Sequence, residues 1–164
     1  MRKMVLAGIP AALAVAGVTA LLPSPAWAAS GAQPASGTFR DTSITIDSSR
    51  MVGGNTIEVA TVSGFATGTF DATFTETDLA LIQPDGRVTL AGKGVASGTL
   101  GTCGTGSAPY VTEAQGTASA RSGRFQSIDQ AASTSTPLMG HTVDSFTVNA
   151  VTGEGTYTGT YHCG

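Results

Sequence analysis

The chain has 164 residues, with 8 Lys and Arg against 11 Asp and Glu and a formal net charge of −3. This length suffices for one domain with its own core. Its few cationic residues are scattered through an acidic chain, which excludes the basic patch that nucleic acids or anionic membranes require.

The first 28 residues have the pattern of a secretory signal peptide. Arg2 and Lys3 precede a largely apolar run over Met4 to Leu22, and a Pro-Ser-Pro break leads to Ala26-Trp27-Ala28. The small residues flanking Trp27 predict cleavage between Ala28 and Ala29. The apolar run is nearly long enough for a membrane anchor, but the break and the small-residue site argue against a stable one. We expect a secreted, extracellular product whose formal charge, without Arg2 and Lys3, falls from −3 to −5.

The mature segment is predicted to begin with a flexible leader over residues 29–36, followed by one domain over residues 37–164. The first two strands are predicted at Gly37 to Ile46 and at Thr56 to Phe65, with a turn over residues 47–55 between them. The chain is rich in Thr, which favours strands, and its 22 Gly supply turns and bends.

The clearest predicted element is a hairpin from Gly68 to Leu100. Phe70, Ala72 and Phe74 alternate with polar residues, which predicts an apolar wall on one face. The tetrapeptide over residues 83–86, Gln-Pro-Asp-Gly, has the chemistry of a tight turn. Gly92 and Gly94 on the returning strand are expected to leave room beside that wall, and with Gly98 they suggest barrel bends.

The remaining elements are short strands and turns. They are a glycine-rich loop over 101–108, strands over 110–120 and 124–131 joined by a turn over 121–123, a loop over 132–140, and a final hairpin of strands 142–150 and 156–163 turned at 152–155. No part of the mature segment shows sustained helical periodicity. Seven or eight antiparallel strands fit a sandwich or a small barrel, and the in-strand glycines favour the barrel.

Cys103 and Cys163 are the only cysteines. In an exported chain they predict one disulfide bond. The alternative is a catalytic thiol assisted by His162, but adjacent residues of a strand point to opposite faces. His141 and His162 lie in no ligand-spaced cluster, so no metal site is predicted, and the absence of phosphate-loop and triad motifs leaves no cofactor to expect.

Carboxylates and tyrosines are the remaining candidates for chemistry. Glu76 and Asp78 continue the apolar face of Phe74; an acid at the end of an apolar cavity can act in proton transfer. We expect instead that the strand bulges or that these acids reach solvent at the rim, because exposed acids greatly outnumber buried ones. Glu113 is a second weak catalytic candidate, with Arg121 as a partner.

Tyr157 and Tyr161 share a face with each other and with Gly159. Together with Phe70, Ala72 and Phe74 they are the candidate ligand-binding residues, although aromatic side chains more often simply pack.

Five segments carry a family resemblance, namely Gly37-Thr38-Phe39, the strand from Gly64 to Phe74, Gly98-Thr99-Leu100, Ser122 to Phe125, and Thr152 to Gly159. The mature chain resembles the allene oxide cyclase-like barrel proteins, a superfamily that includes plant dirigent proteins, and among them the secreted bacterial members of unknown function. The resemblance implies an eight-stranded barrel with a central cavity, often in a dimer or trimer, that binds a small, largely apolar molecule. Some members steer cyclisation or isomerisation through pocket shape. No catalytic residue is carried over, because no local motif matches one.

Three functional hypotheses follow. The first is a carrier of a small, largely apolar molecule. The second is an isomerase or cyclase in which Glu76, Glu113 and the tyrosines orient the substrate. The third is a structural or inhibitory protein that acts through its outer surface. An open, apolar interior with convergent polar groups favours the first two, whereas a filled barrel favours the third.

Overall fold

A computed structural model describes residues 31–127 and 140–163, and these residues form a closed antiparallel β-barrel of eight strands. The strands are β1 (Gln33–Val52), β2 (Asn55–Gly68), β3 (Phe70–Ile82), β4 (Arg87–Leu100), β5 (Thr105–Thr117), β6 (Ala120–Ser127), β7 (Gly140–Asn149) and β8 (Glu154–Cys163). Each strand pairs with the next along the chain, and β1 pairs with β8 to close the barrel. The predicted all-β barrel is therefore confirmed. No helix in the described part is long and apolar enough to cross a membrane.

Strand β1 is longer than predicted at both ends. It starts at Gln33, inside the expected leader, because residues 33–36 pair with β8 and supply part of the closure. It continues to Val52, so the turn expected over residues 47–55 shrinks to Gly53 and Gly54, with φ of 59° and 83°. Positive φ at both central residues is what a tight two-residue hairpin turn requires. Two register shifts interrupt the pairing of β1 with β2, between Asp41 and Ser43 and between Ile46 and Ser48.

The connection between β5 and β6 also differs from the prediction. Residues 121–123 were expected to form the turn but lie within β6, and the chain reverses at Ala118 and Ser119. The Thr117 hydroxyl accepts hydrogen bonds from the backbone amides of Ser119 and Ala120, each at 3.3 Å. These hydrogen bonds from the Thr117 side chain stabilise a chain reversal that begins three residues before the predicted turn. The predicted loop over 132–140 and the end of the strand predicted over 124–131 fall mostly outside the described residues.

One end of the barrel is closed by packed side chains. Ala35, Leu100 and Tyr161 form a buried cluster, and Phe70 and Cys103 pack against it. The predicted disulfide is confirmed: Cys103 and Cys163 are joined, with their Cα atoms 5.0 Å apart. It ties the β4–β5 loop to the end of β8, so this end of the barrel is covalently fastened. We call it the floor.

The opposite end is open. Here β1 and β2 extend beyond the part of β1 that pairs with β8, which ends at Arg40. Ile44 and Ile46 lie at this mouth, where they border the interior cavity while remaining about half exposed. The barrel therefore has a closed floor at one end and an accessible mouth at the other.

Candidate ligand cavity

A cavity of about 250 Å³ occupies the barrel interior. Phe70, Ala72 and Phe74 line it from β3, as the sequence predicted, and Tyr157 lines it from β8. Eight alanines contribute to the wall, at positions 60, 66, 72, 80, 96, 108, 114 and 150. An engineered apolar cavity of about 150 Å³ binds benzene, and pockets for larger ligands begin near 300 Å³. The space therefore suits a molecule of one or two rings.

Aromatic side chains form a continuous layer across part of the interior. Phe70 stacks on Tyr157 with ring centroids 4.8 Å apart, and Phe125 packs edge-on against both rings. Phe125 also contacts Phe146 and Tyr110. The Tyr157 hydroxyl accepts a hydrogen bond from the Phe70 amide at 2.8 Å and donates one to the Thr67 carbonyl at 3.2 Å. These contacts fix the rings in place, which makes this part of the wall rigid.

Tyr161, the other candidate binding tyrosine, points inward but belongs to the floor. It is 6% exposed, packs with Ala35 and Leu100, and is absent from the cavity wall. Its hydroxyl donates to the Gln33 side chain at 2.8 Å. Tyr161 therefore supports the cavity from below.

Carboxyl groups converge on the cavity above the aromatic layer. Glu76 and Asp78 follow Phe74 on the inner face of β3, and Asp41 joins them from β1. The pairing of β3 with both neighbours contains no register shift, and Asp78 is only 6% exposed. The expectation that the strand bulges or that these acids reach solvent at the rim is therefore wrong. An unbroken period of two residues holds both acids inside the barrel.

The space expected beside Gly92 and Gly94 is already occupied. A Cβ atom at Gly92 would overlap the side chains of Asp78 and Thr112, and one at Gly94 would meet the Tyr110 ring. These glycines therefore let polar side chains approach one another instead of leaving the cavity wider.

Glu76 receives two hydrogen bonds. Thr112 donates from its hydroxyl at 3.3 Å, and the Tyr110 hydroxyl donates as well. The pKa of Glu76 is raised to about 7, mainly by burial and next by the neighbouring Asp78 carboxylate, while the two donors oppose the change. Burial also raises the pKa of the Tyr110 hydroxyl, so that it remains a proton donor. Glu76 consequently exchanges its proton near neutral pH, where acid–base catalysis is most effective.

Asp78 and Asp41 form a second pair of acids near the Arg121 guanidinium. The pKa of each carboxyl is raised to about 6, mainly by burial, and for Asp78 also by the Asp41 charge; Arg121 opposes the rise in both cases. Arg121 lines the cavity from β6. It was expected to accompany Glu113, but Glu113 is exposed on the outer face of β5, in register with Arg124. Glu113 alternates with Thr112 and Ala114, which line the cavity, so Glu113 cannot orient a molecule inside it.

Asp144 was not among the predicted residues. It points inward from β7 between Thr142 and Phe146 and is 1% exposed. Neither carboxyl oxygen has a hydrogen-bond partner among the described residues, and burial raises the pKa of Asp144 to about 7. The alternation of residues 142, 144 and 146 was the sequence signal from which its inward position could have been predicted. No three His, Cys, Asp or Glu side chains in the described ranges are arranged to hold a metal ion.

The fold and cavity define a class of protein: a closed eight-stranded antiparallel barrel with a largely apolar interior that contains buried carboxyl groups. Neither a protein-family model nor a curated protein sequence matches the chain.

Proposed function

We propose that this protein is a secreted barrel of the allene oxide cyclase-like type that binds a small, largely apolar molecule in its cavity. The observation that carries the proposal is a 250 Å³ space with a closed floor, an open mouth and a wall of aromatic rings and alanines. Few polar groups interrupt that wall, and they converge from different strands. This combination is typical of a binding site for a small molecule.

The disulfide supports the extracellular part of the proposal, because such bonds persist in oxidising compartments. Intact-mass measurement of protein recovered from the culture medium tests it. We expect a chain beginning at Ala29, which lacks Trp27 and therefore shows no tryptophan fluorescence. Recovery of the full chain in a membrane fraction would contradict secretion.

Ligand uptake is tested by filling the cavity from β3. Ala72 faces inward and Thr77 faces outward on the same strand. We expect wild type and the control Thr77→Phe to bind naphthalene in titration calorimetry. Ala72→Phe should reduce the affinity at least tenfold while the circular dichroism of the fold persists, because added bulk enters an existing void.

Two results would overturn the binding proposal. One is a wild type that binds neither naphthalene nor 2-naphthol. The other is an Ala72→Phe variant that is folded and binds as the wild type does. Either result would favour action through the outer surface, where Phe65, Leu79 and Val95 are 41–53% exposed.

An isomerase or cyclase is the second candidate, and the environment of Glu76 favours it. A carboxyl group that accepts two hydrogen bonds and has a pKa of about 7 can deliver or remove a proton beside an apolar substrate. Titration of ¹³C-labelled Glu side chains by NMR tests this requirement, with Glu76→Gln assigning the signal. A Glu76 pKa close to 4.5 would remove the support for proton transfer and leave the carrier.

A further inference from the structure

We propose that the cavity has a second polar subsite near its floor, where the Asp144 carboxyl and the Thr142 hydroxyl bind a hydroxyl or amine group of the ligand. The inference rests on the proposed ligand binding and deepens it. It specifies the ligand class as molecules with an apolar body and a hydrogen-bond donor at the end that enters first.

Polar atoms are buried here without partners in the part of the chain that the structure describes. Asp144 is 99% buried, since 1% of it is exposed, and both of its oxygens lack a hydrogen bond among the described residues. Thr142 is 9% exposed, and its hydroxyl oxygen is also unpaired. Buried polar groups are nearly always hydrogen-bonded, so three unpaired oxygens on one face of one strand require an explanation. A ligand that donates to them provides one.

These groups lie beside the lower part of the cavity. Thr142, Ser127 and Gly140 line the lower wall. Asp144 is not itself part of that wall, but it is the next inward residue after Thr142 on β7, and Phe125, its neighbour in register, lines the cavity. The Ser127 hydroxyl accepts a hydrogen bond from the Thr142 amide at 2.9 Å, which fixes the backbone beside Asp144. On the neighbouring strand Gly159 lies opposite Asp144, and a Cβ atom there would overlap a carboxyl oxygen. Glycine therefore makes the room that the carboxyl group occupies.

The charge of the subsite determines which ligand groups it can bind. The titratable group affected by the Asp144 charge is the Tyr157 hydroxyl, and its two hydrogen bonds go to the backbone at Phe70 and Thr67. Burial alone accounts for the pKa of Asp144, so no described Arg or Lys compensates its charge. A carboxyl group without a cation accepts hydrogen bonds and repels anions. The subsite therefore favours a hydroxyl or a protonated amine over a carboxylate or phosphate.

The apolar part of the ligand has a defined place. Phe125 is in register with Asp144 on the adjacent strand, Phe146 follows it on β7, and both rings line the cavity. A ring system bound against these side chains would direct a terminal hydroxyl towards the floor. Naphthalene and 2-naphthol are therefore a suitable probe pair, because they differ by that one group.

The experiment compares the two affinities by titration calorimetry in five proteins: wild type, Asp144→Leu, Thr142→Val, Glu76→Gln and the control Asp71→Leu. Asp71 lies on the exposed outer face of β3. We expect wild type and the control to bind 2-naphthol at least tenfold more tightly than naphthalene. Asp144→Leu should bring the ratio close to one without weakening naphthalene binding, and Thr142→Val should lower the ratio by a smaller factor.

The outcomes separate the subsite from the proposed function. If wild type binds both probes and Asp144→Leu leaves the ratio unchanged, the subsite is wrong and cavity binding stands. If the preference instead disappears in Glu76→Gln, the donor binds at the upper acids and the subsite is again wrong. If wild type binds neither probe, the proposed function fails and the subsite fails with it. Should Asp144→Leu not fold, the Thr142→Val ratio decides.

Discussion

Asp144 should make the stability of the protein depend on pH in a direction opposite to that of a salt-bridged acid. Burial raises its pKa from 3.8 to about 7. A raised pKa means that the folded state binds its proton more tightly than the unfolded state does. The stabilisation is therefore fully present below about pH 4 and is lost as the pH rises towards 7 and beyond. Each tenfold difference in proton affinity corresponds to about 1.4 kcal/mol, so the complete loss is about 4 kcal/mol.

The test is Asp144→Asn, which keeps the shape of the side chain and removes its titration. Urea unfolding at pH 4 and pH 8 gives the free energy of unfolding of both proteins. We expect the variant to gain about 4 kcal/mol relative to wild type between these two pH values, a midpoint shift of about 2 M at ordinary urea sensitivities. Asp41, Glu76 and Asp78 also have raised pKa values, but they titrate in both proteins, so the difference isolates Asp144.

Two results would refute this reasoning. One is an equal difference in unfolding free energy between the two proteins at both pH values. The other is an Asp144 pKa near 4 in an NMR titration of the folded protein. Either would mean that the carboxyl group is solvated or paired, and the structural basis of the floor subsite would be lost with it.

Three further perturbations have defined outcomes. Cys103→Ser should cost about 4 kcal/mol, because the bond constrains a separation of 60 residues, and an unchanged melting temperature would contradict this. Tyr110→Phe removes a donor that lowers the pKa of Glu76, so an NMR titration should show that pKa above 7, and a decrease would count against the hydrogen bond. Gly64→Ala should destabilise by about 1–3 kcal/mol, because its Cβ would overlap the Arg40 carbonyl oxygen and the Phe74 ring; equal urea midpoints for variant and wild type would contradict this.

Sequence periodicity predicted the wall of the cavity where the strand was regular. On β3 the alternation continues from Phe70 to Ile82 without a register shift, so the inward positions of Ala72, Phe74 and Glu76 followed directly from it. On β1 the same reasoning fails after Asp41, because two register shifts follow that no residue pattern announces. Asp41 precedes both shifts and continues the inward alternation of Phe39, but its place beside Asp78 and Arg121 depends on strands that are distant in the sequence.

Contacts between strands could not be predicted from the sequence, because the register of two paired strands depends on the position of the turn that joins them. Moving one turn from residues 121–123 to 118–119 places Arg121 inside the barrel and pairs Glu113 with Arg124 outside. Asp144 is a different case. Its neighbours Thr142 and Phe146 show the same alternation as β3, so the pattern indicated an inward acid. The sequence could not show that its carboxyl oxygens have no hydrogen-bond partner among the described residues.

Glycines explain how one small barrel holds large rings and still has a cavity. Tyr157 lies across from Gly37, Phe74 from Gly64, and Tyr110 from Gly94, and in each pair a Cβ on the glycine would overlap the ring. Each ring can therefore lie against the neighbouring backbone and leave the centre open.

The same arrangement holds two of the carboxyl groups. Gly92 lies opposite Asp78 and Gly159 lies opposite Asp144, again with no room for a Cβ. An alanine at either glycine position would displace the carboxyl group from its present place against the neighbouring strand. Pairing each acid with a glycine lets its carboxyl group lie against the neighbouring strand, with Asp78 in the cavity wall and Asp144 next to Thr142 and Phe146, which are part of that wall. Asp78 and Asp144 are thus built into the barrel in the same way as its rings, which is why we assign binding roles to both ends of the cavity.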